Sequence, residues 1–288
     1  TGTATKIVKF WLDKLHSAPE LHDKIEFEVA TTSLSLNFEM EAKSLASVLS
    51  AKELESFKAH LLNLTQNIVA GGVGDTDTQF RKLAALDDNR RSILAENSRD
   101  KLYSVRELLC DCITNGTVPF AIMARKGFIA ENFLRSIEEL GLLTKSRVSE
   151  FRNSVPTVLS DFLKKMASCN QDGSGWESFL DAYGHLRPGT YDILAKRYDQ
   201  QISLSDVAKP LNIEEEVAHS DFQLTTEEKN EIDDALAREG FRFKATALFD
   251  FFAESISGRE KAKLIFTKKF LFYWIKSSLA ICFIINSF

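Results

Sequence analysis

The chain has 288 residues, with 36 Lys and Arg set against 41 Asp and Glu, giving a net charge of −5 and an isoelectric point near 5.7. That balance excludes the basic face that a nucleic-acid footprint requires, and the length suits one large domain or two with ample apolar content for a core. Phe is abundant at 22 while Pro and Gly number only 5 and 13, a composition that fits long helices packed by aromatic rings better than a loop-rich β protein.

Cys110, Cys112, Cys169 and Cys282 lack the spacing of a zinc site. On one helix Cys110 and Cys112 point in different directions, so they are read as reduced thiols in a cytoplasmic protein. No signal peptide is recognisable, and a sequence opening on Thr1 is expected to be a fragment.

Taken in order, residues 6–15 carry Ile7, Val8, Phe10, Trp11 and Leu15 at helical spacing, and Pro19 ends the run. Ile25, Phe27 and Val29 then alternate with Glu26 and Glu28. After Thr31-Thr32, Leu34, Leu36 and Phe38 alternate with Ser33, Ser35 and Asn37, the pattern of a β-hairpin. Its polar face would carry Glu26, Glu28, Ser35 and Asn37, and as a bare pattern it is equally a solvated face.

A helix is expected from Ser44 to Ala70, ended by Gly71-Gly72-Val73-Gly74, which lacks the lysine and threonine of a phosphate-binding loop. Thr78 to Cys112 reads as helical with an interruption at Asp87-Asp88-Asn89, followed by a turn at Asn115-Gly116. The helix over 119–140 is the most apolar in the interior of the sequence and is expected to be buried on more than one side. Arg125 within it must find an anion or reach the surface, and a structural salt bridge is the plainer reading. Another helix spans Lys145 to Met166, crossed by Pro156.

Trp176, Phe179, Leu180 and Tyr183 form one helical face, and Gly184 is placed to end that helix in a left-handed conformation. The stretch that follows, with Pro188-Gly189 as a turn pair, presents His185, Arg187, Tyr191 and Asp192. Arg and His together suit a phosphate or carboxylate. Alternatively Arg187 and Asp192 pair with each other and the loop merely joins helices. Beyond it, Thr225-Thr226-Glu227-Glu228 opens a capped helix that runs to Gly240. Phe241 to Ile256 is a further helix, and Gly258-Arg259-Glu260 begins another. Phe270 to Phe288 is nearly all apolar and close to the ~20 residues that span a bilayer.

Several stretches together resemble a subgroup of the phosphoenolpyruvate synthase-like phosphotransferases, relatives of pyruvate phosphate dikinase and of the rifampicin phosphotransferases. They are Phe10 to Leu15, Glu20 to Glu28, Asn115 to Ala121, Ala124 to Ala130, the run from Gly184 to Ile193 with Arg197-Tyr198-Asp199, and Gly258-Arg259-Glu260. They are collinear and cover roughly residues 7 to 268. The resemblance implies a mainly α fold: a multi-helix domain preceded by a short β-hairpin that ends an ATP-grasp-type domain. Residues 1–40 would be the remnant of that nucleotide-binding domain and 41–268 the helical acceptor or linker domain. Residues 269–288 would be an apolar tail, in which truncation or a shifted reading frame is favoured over a membrane anchor because the match stops after Thr267.

The resemblance further implies ATP and Mg²⁺ as cofactors, supplied through the missing ATP-grasp and phosphohistidine domains. Glu26 is the expected magnesium and cofactor ligand, since the family pattern falls on Asp23 to Phe27 with one extra residue, and Asn37 is its partner in place of a more usual glutamine. His185 and Arg187 would be catalytic, Arg187 binding the acceptor or the arriving phosphoryl group and His185 acting as general base or hydrogen-bond donor. Arg125 and Tyr191 would bind a small-molecule acceptor, pyruvate in the best-known relatives but left open here. None of His16, His22, His60, His185 and His219 lies in the family's phosphohistidine motif, so this chain alone is expected to be inactive. The alternative is a non-catalytic helical interaction module, membrane-anchored or vestigial.

Overall fold

The computed structural model describes residues 2–96, 101–172, 175–186, 196–200 and 221–285. Among them are eleven α-helices and no strand, so the chain is mainly α. The helices are α1 (Gly2–Ser17), α2 (Phe38–Leu45), α3 (Ala51–Val69), α4 (Thr76–Glu96), α5 (Lys101–Asp111), α6 (Val118–Glu139), α7 (Lys145–Ser154), α8 (Val158–Asp172), α9 (Trp176–Tyr183), α10 (Thr226–Glu239) and α11 (Ala245–Ile285). The chain divides into two compact units, the first made of residues 1–78, 122–152 and 222–256, the second of 79–121, 153–221 and 257–288. Residues 1–40 therefore belong to the same unit as the helices after them, and no boundary falls at the expected position near residue 40.

In the first unit, Phe133 and Phe252 are fully buried, and aromatic side chains gather about them. Phe133 lies 5.5 Å from Phe241, 6.4 Å from Phe243 and 6.0 Å from Phe252, and Phe151 meets Phe249 edge-on at 4.9 Å. These offset and edge-on pairs use the ring quadrupole as well as the area buried. A second cluster joins Ile7 of α1 to Leu45 and Leu49, with Trp11 and Phe57 packed against it. Thr225 opens α10 with the expected capping box, its side chain accepting from the Glu228 amide while Glu228 returns to the Thr225 amide.

The expected hairpin is absent. Ile25–Val29 is a π-helical turn, closed by the Ala30 amide on the Ile25 carbonyl at 2.8 Å. Phe27 packs edge-on against Phe128 at 5.4 Å, and the Arg135 guanidinium lies over the Phe27 ring at 4.6 Å. Ser33, Leu34, Ser35 and Leu36 are all buried, so the alternation marks no solvent face. Their backbone is satisfied by helix side chains in place of a partner strand: Leu34 N donates to Thr65 Oγ1 on α3, and Leu36 N donates to Ser136 Oγ on α6.

In the second unit, Gly116 belongs to a π-helical turn over Cys112–Thr117 that carries the chain from α5 into α6 where a plain turn was expected. A Cβ there would lie 2.7 Å from the Phe266 ring, and Phe266 in turn stacks on Phe120 at 5.6 Å. Lys269 pairs with Asp87 at 2.6 Å, and Asp111 accepts from both Asn89 and Asn115.

Four further expectations are corrected. The run expected as one helix from Ser44 to Ala70 is two, because Ser50 opens α3 with its own capping box to Glu53. Asp87-Asp88-Asn89 does not interrupt α4, since Asp87 and Asn89 have partners that hold them in the helix. Gly258 lies buried inside α11, which runs unbroken from Ala245 to Ile285. The helix expected to run from Lys145 to Met166 across Pro156 is divided there into α7 and α8, because the proline clashes with the preceding turn. Among the described residues no helix is long and apolar enough to cross a membrane.

Candidate functional site

The stretch with the densest chemistry begins where α9 ends. Phe179 and Tyr183, on the face expected from their spacing, are buried against Phe162 of α8 at 5.2 Å each, and Trp176 stacks on Phe179. Tyr198 closes this cluster at 5.5 Å from Phe162. The Tyr183 hydroxyl donates to Asp161, whose carboxylate also takes Lys165 at 2.9 Å. Burial first, and then Asp161, raises the Tyr183 phenol above its ordinary range.

Gly184 does not end the helix in the left-handed conformation, since its φ is −55°. Glycine is needed there for space: a Cβ would meet the Leu180 carbonyl and lie 3.0 Å from the Asp199 Cβ. That close approach lets two backbone bonds form, Asp199 N to Gly184 O at 3.0 Å and Tyr198 N to Leu186 O at 2.9 Å. The two ends of the motif are thereby tied to each other. Arg187 and Tyr191, with Pro188, Gly189, Thr190 and Asp192, lie outside the described residues.

His185 sits at this tie with both ring nitrogens buried and lacking a hydrogen bond of good geometry among the described residues. The Leu264 carbonyl on α11 is near enough to favour the charged ring, yet burial and the neighbouring Lys268 and Arg197 outweigh it. The imidazole is pushed down to about 4, burial being the largest cause. Lys268 donates to the Asp181 carbonyl at 2.5 Å, and Arg197 forks onto Asp199 at 2.9 and 2.8 Å. Arg197 was legible as part of the motif. Lys268 was not, because nothing in the local pattern of α11 shows what a lysine one turn past Leu264 approaches.

The remaining candidates lie in the first unit and are engaged in holding it together. Arg125 donates to the Thr32 carbonyl at 3.0 Å, with Glu26 as the nearby charge that supports it, while burial lowers its guanidinium from the usual value. Glu26 and Arg125 are thus brought together, as opposite charges beside the irregular strap over 30–37. Lys126, 4 % exposed, reaches Thr76 Oγ1 at 2.7 Å and Glu254 at 3.6 Å.

Asn37 offers little to magnesium. Its Oδ1 accepts from Ser35 Oγ at 2.7 Å, and its Nδ2 donates to Glu139 at 2.5 Å. With the hairpin absent, Glu26 sits in the π turn and Asn37 just before α2, so the strand pairing that was to set them side by side is not formed. Among the described residues no group of three or more His, Cys, Asp and Glu could hold a metal ion. No family model, curated protein or solved structure matches the chain.

Proposed function

We propose that this chain is the acceptor-binding helical part of an ATP-dependent phosphotransferase, and that the stretch from Gly184 to Asp199 is its anion site. The observation that carries this reading is the arrangement at the tie: His185, its ring nitrogens buried and Lys268 and Arg197 nearby, at the joined ends of a segment that contains Arg187 and Tyr191. The Arg187 guanidinium would hold a phosphate or carboxylate there through charge-assisted hydrogen bonds, with the His185 imidazole as a neutral hydrogen-bond donor. Transfer itself would rest on positioning and charge stabilisation, with ATP, magnesium and the phosphohistidine supplied by other domains. In this scheme Glu26, Asn37 and Arg125 stabilise the first unit and take no part in binding.

Calorimetric titration with phosphoenolpyruvate tests the reading, because that probe carries both a phosphate and a carboxylate. Saturable binding weakened about tenfold or more by Arg187→Ala, in a variant that stays folded, is the expected result. Absence of binding, or binding indifferent to Arg187→Ala, removes the anion site.

A second reading, a non-catalytic helical interaction module, draws on Leu102, Leu109 and Ile113, which are exposed along one face of α5 and the turn after it. It expects no phosphoenolpyruvate binding at all.

A further inference from the structure

His185 lies where the end of α9, the segment 196–200 and α11 meet. It follows directly on the cluster of Phe162, Phe179, Tyr183 and Tyr198, against which Leu186 and Leu264 pack, and both its ring nitrogens are buried. The charged and titratable groups about it are Asp181 and Tyr183 on α9, Arg197, Tyr198 and Asp199 on the 196–200 segment, Lys268 on α11, and Asp161 with Lys165 on α8 beside Tyr183. Of the groups that act on the ring, two are cations and Asp199 is the opposing anion, already forked by Arg197.

From this geometry we infer that the tie between 184–186 and 198–199 is an acid-sensitive latch, which closes around a neutral His185 and is released when the exposed imidazole takes up a proton. In the closed state a third positive charge would have to sit on buried ring nitrogens near Lys268 and Arg197, without a hydrogen-bond acceptor in good geometry among the described residues. In the open state water solvates the same charge. Protons therefore bind the open form preferentially, and acid shifts the equilibrium toward it.

The sign follows from the direction of the shift. The ring falls from an ordinary 6.5 to about 4 in the closed state, so closure is favoured above 6.5 and is progressively lost as the pH drops toward 4. The two amides that make the tie, Tyr198 and Asp199, report opening directly. This inference concerns the ligand-free chain, so it stands or falls separately from the anion-binding reading.

The experiment is hydrogen exchange of the Tyr198 and Asp199 amides, corrected for the intrinsic rate, on ligand-free protein from about pH 7 to about pH 5. Opening is expected to rise roughly tenfold per pH unit below the ordinary imidazole value, while the buried Leu34 amide shows no such slope. His185→Leu should flatten the dependence. Should that variant not fold, Lys268→Met decides: removing the cation brings the closed-state imidazole back toward its ordinary value, which narrows the sensitive range and reduces the total acceleration. A flat profile in the unmodified chain, the same slope in a folded His185→Leu, or an undiminished total acceleration in Lys268→Met followed down to about pH 4, overturns the latch.

Discussion

Thr65 Oγ1 accepts the backbone amide of Leu34 at 2.9 Å, and both residues are 0 % exposed. This one bond explains why the segment over 30–37 needs no partner strand: a hydroxyl on α3 supplies the acceptor that a hairpin ladder would have given. Thr65→Val keeps the shape and removes the acceptor, leaving a buried N–H unpaired at a cost of about 1–3 kcal/mol. Thr65→Ser keeps the acceptor and loses one methyl, about 1 kcal/mol. Denaturant unfolding of both variants checks the order, and a larger loss in Thr65→Ser than in Thr65→Val would mean that the methyl, and not the hydrogen bond, is what matters.

Arg147 and Glu228 form the best-defined ion pair of the first unit. Nε and one terminal nitrogen each meet a carboxylate oxygen at 2.8 Å, while the guanidinium also holds the Gln223 carbonyl and lies over Phe222. Glu228 simultaneously closes the capping box of α10. Arg147→Lys keeps the charge and loses the fork, with an expected cost of about 1.5–3 kcal/mol.

Acid should act on the same pair. The Glu228 carboxyl lies below its ordinary 4.5, chiefly through the bond from Arg147. Its contribution is therefore complete above the unfolded value and is lost as the pH falls through the lower folded one. Stability of Glu228→Gln measured from neutral to acid pH should lack this component, and an unchanged acid slope would show that other carboxylates carry it.

Gly116→Ala should destabilise the second unit by about 1–3 kcal/mol, because the added Cβ would sit 2.7 Å from Phe266 Cε2. Phe266→Leu clears that space at its own cost, so the double variant should lose less than the sum of the two. A double-mutant cycle by thermal unfolding measures the difference, and simple additivity would contradict the contact.

Much of the helical layout was legible because its signals are local. The Thr225 to Glu228 box and the apolar run of α6 each follow from neighbouring residues. The hairpin reading failed because period-two alternation does not tell a strand with one wet face from a segment buried on both, and Ser33 and Ser35 are buried like Leu34 and Leu36. Gly258 misled for a related reason: packing can override a propensity cost of about 1 kcal/mol.

At the candidate site, the local motif pointed to His185, whereas its environment depends on Lys268 and Leu264, contributed by a helix distant in the chain. The assignment of Glu26 and Asn37 came from resemblance and presupposed the hairpin. Once that segment folds as a π turn and a buried strap, Asn37 turns to Ser35 and Glu139, and Glu26 to Arg125.

The most direct test of the anion site is backbone amide shift mapping by NMR during titration with inorganic phosphate near neutral pH. The account expects saturable changes concentrated at 184–186 and 196–199 together with Arg187 and Tyr191, and their disappearance in Arg187→Ala. Shifts that are absent, or that scatter over lysines elsewhere and survive Arg187→Ala, would contradict it.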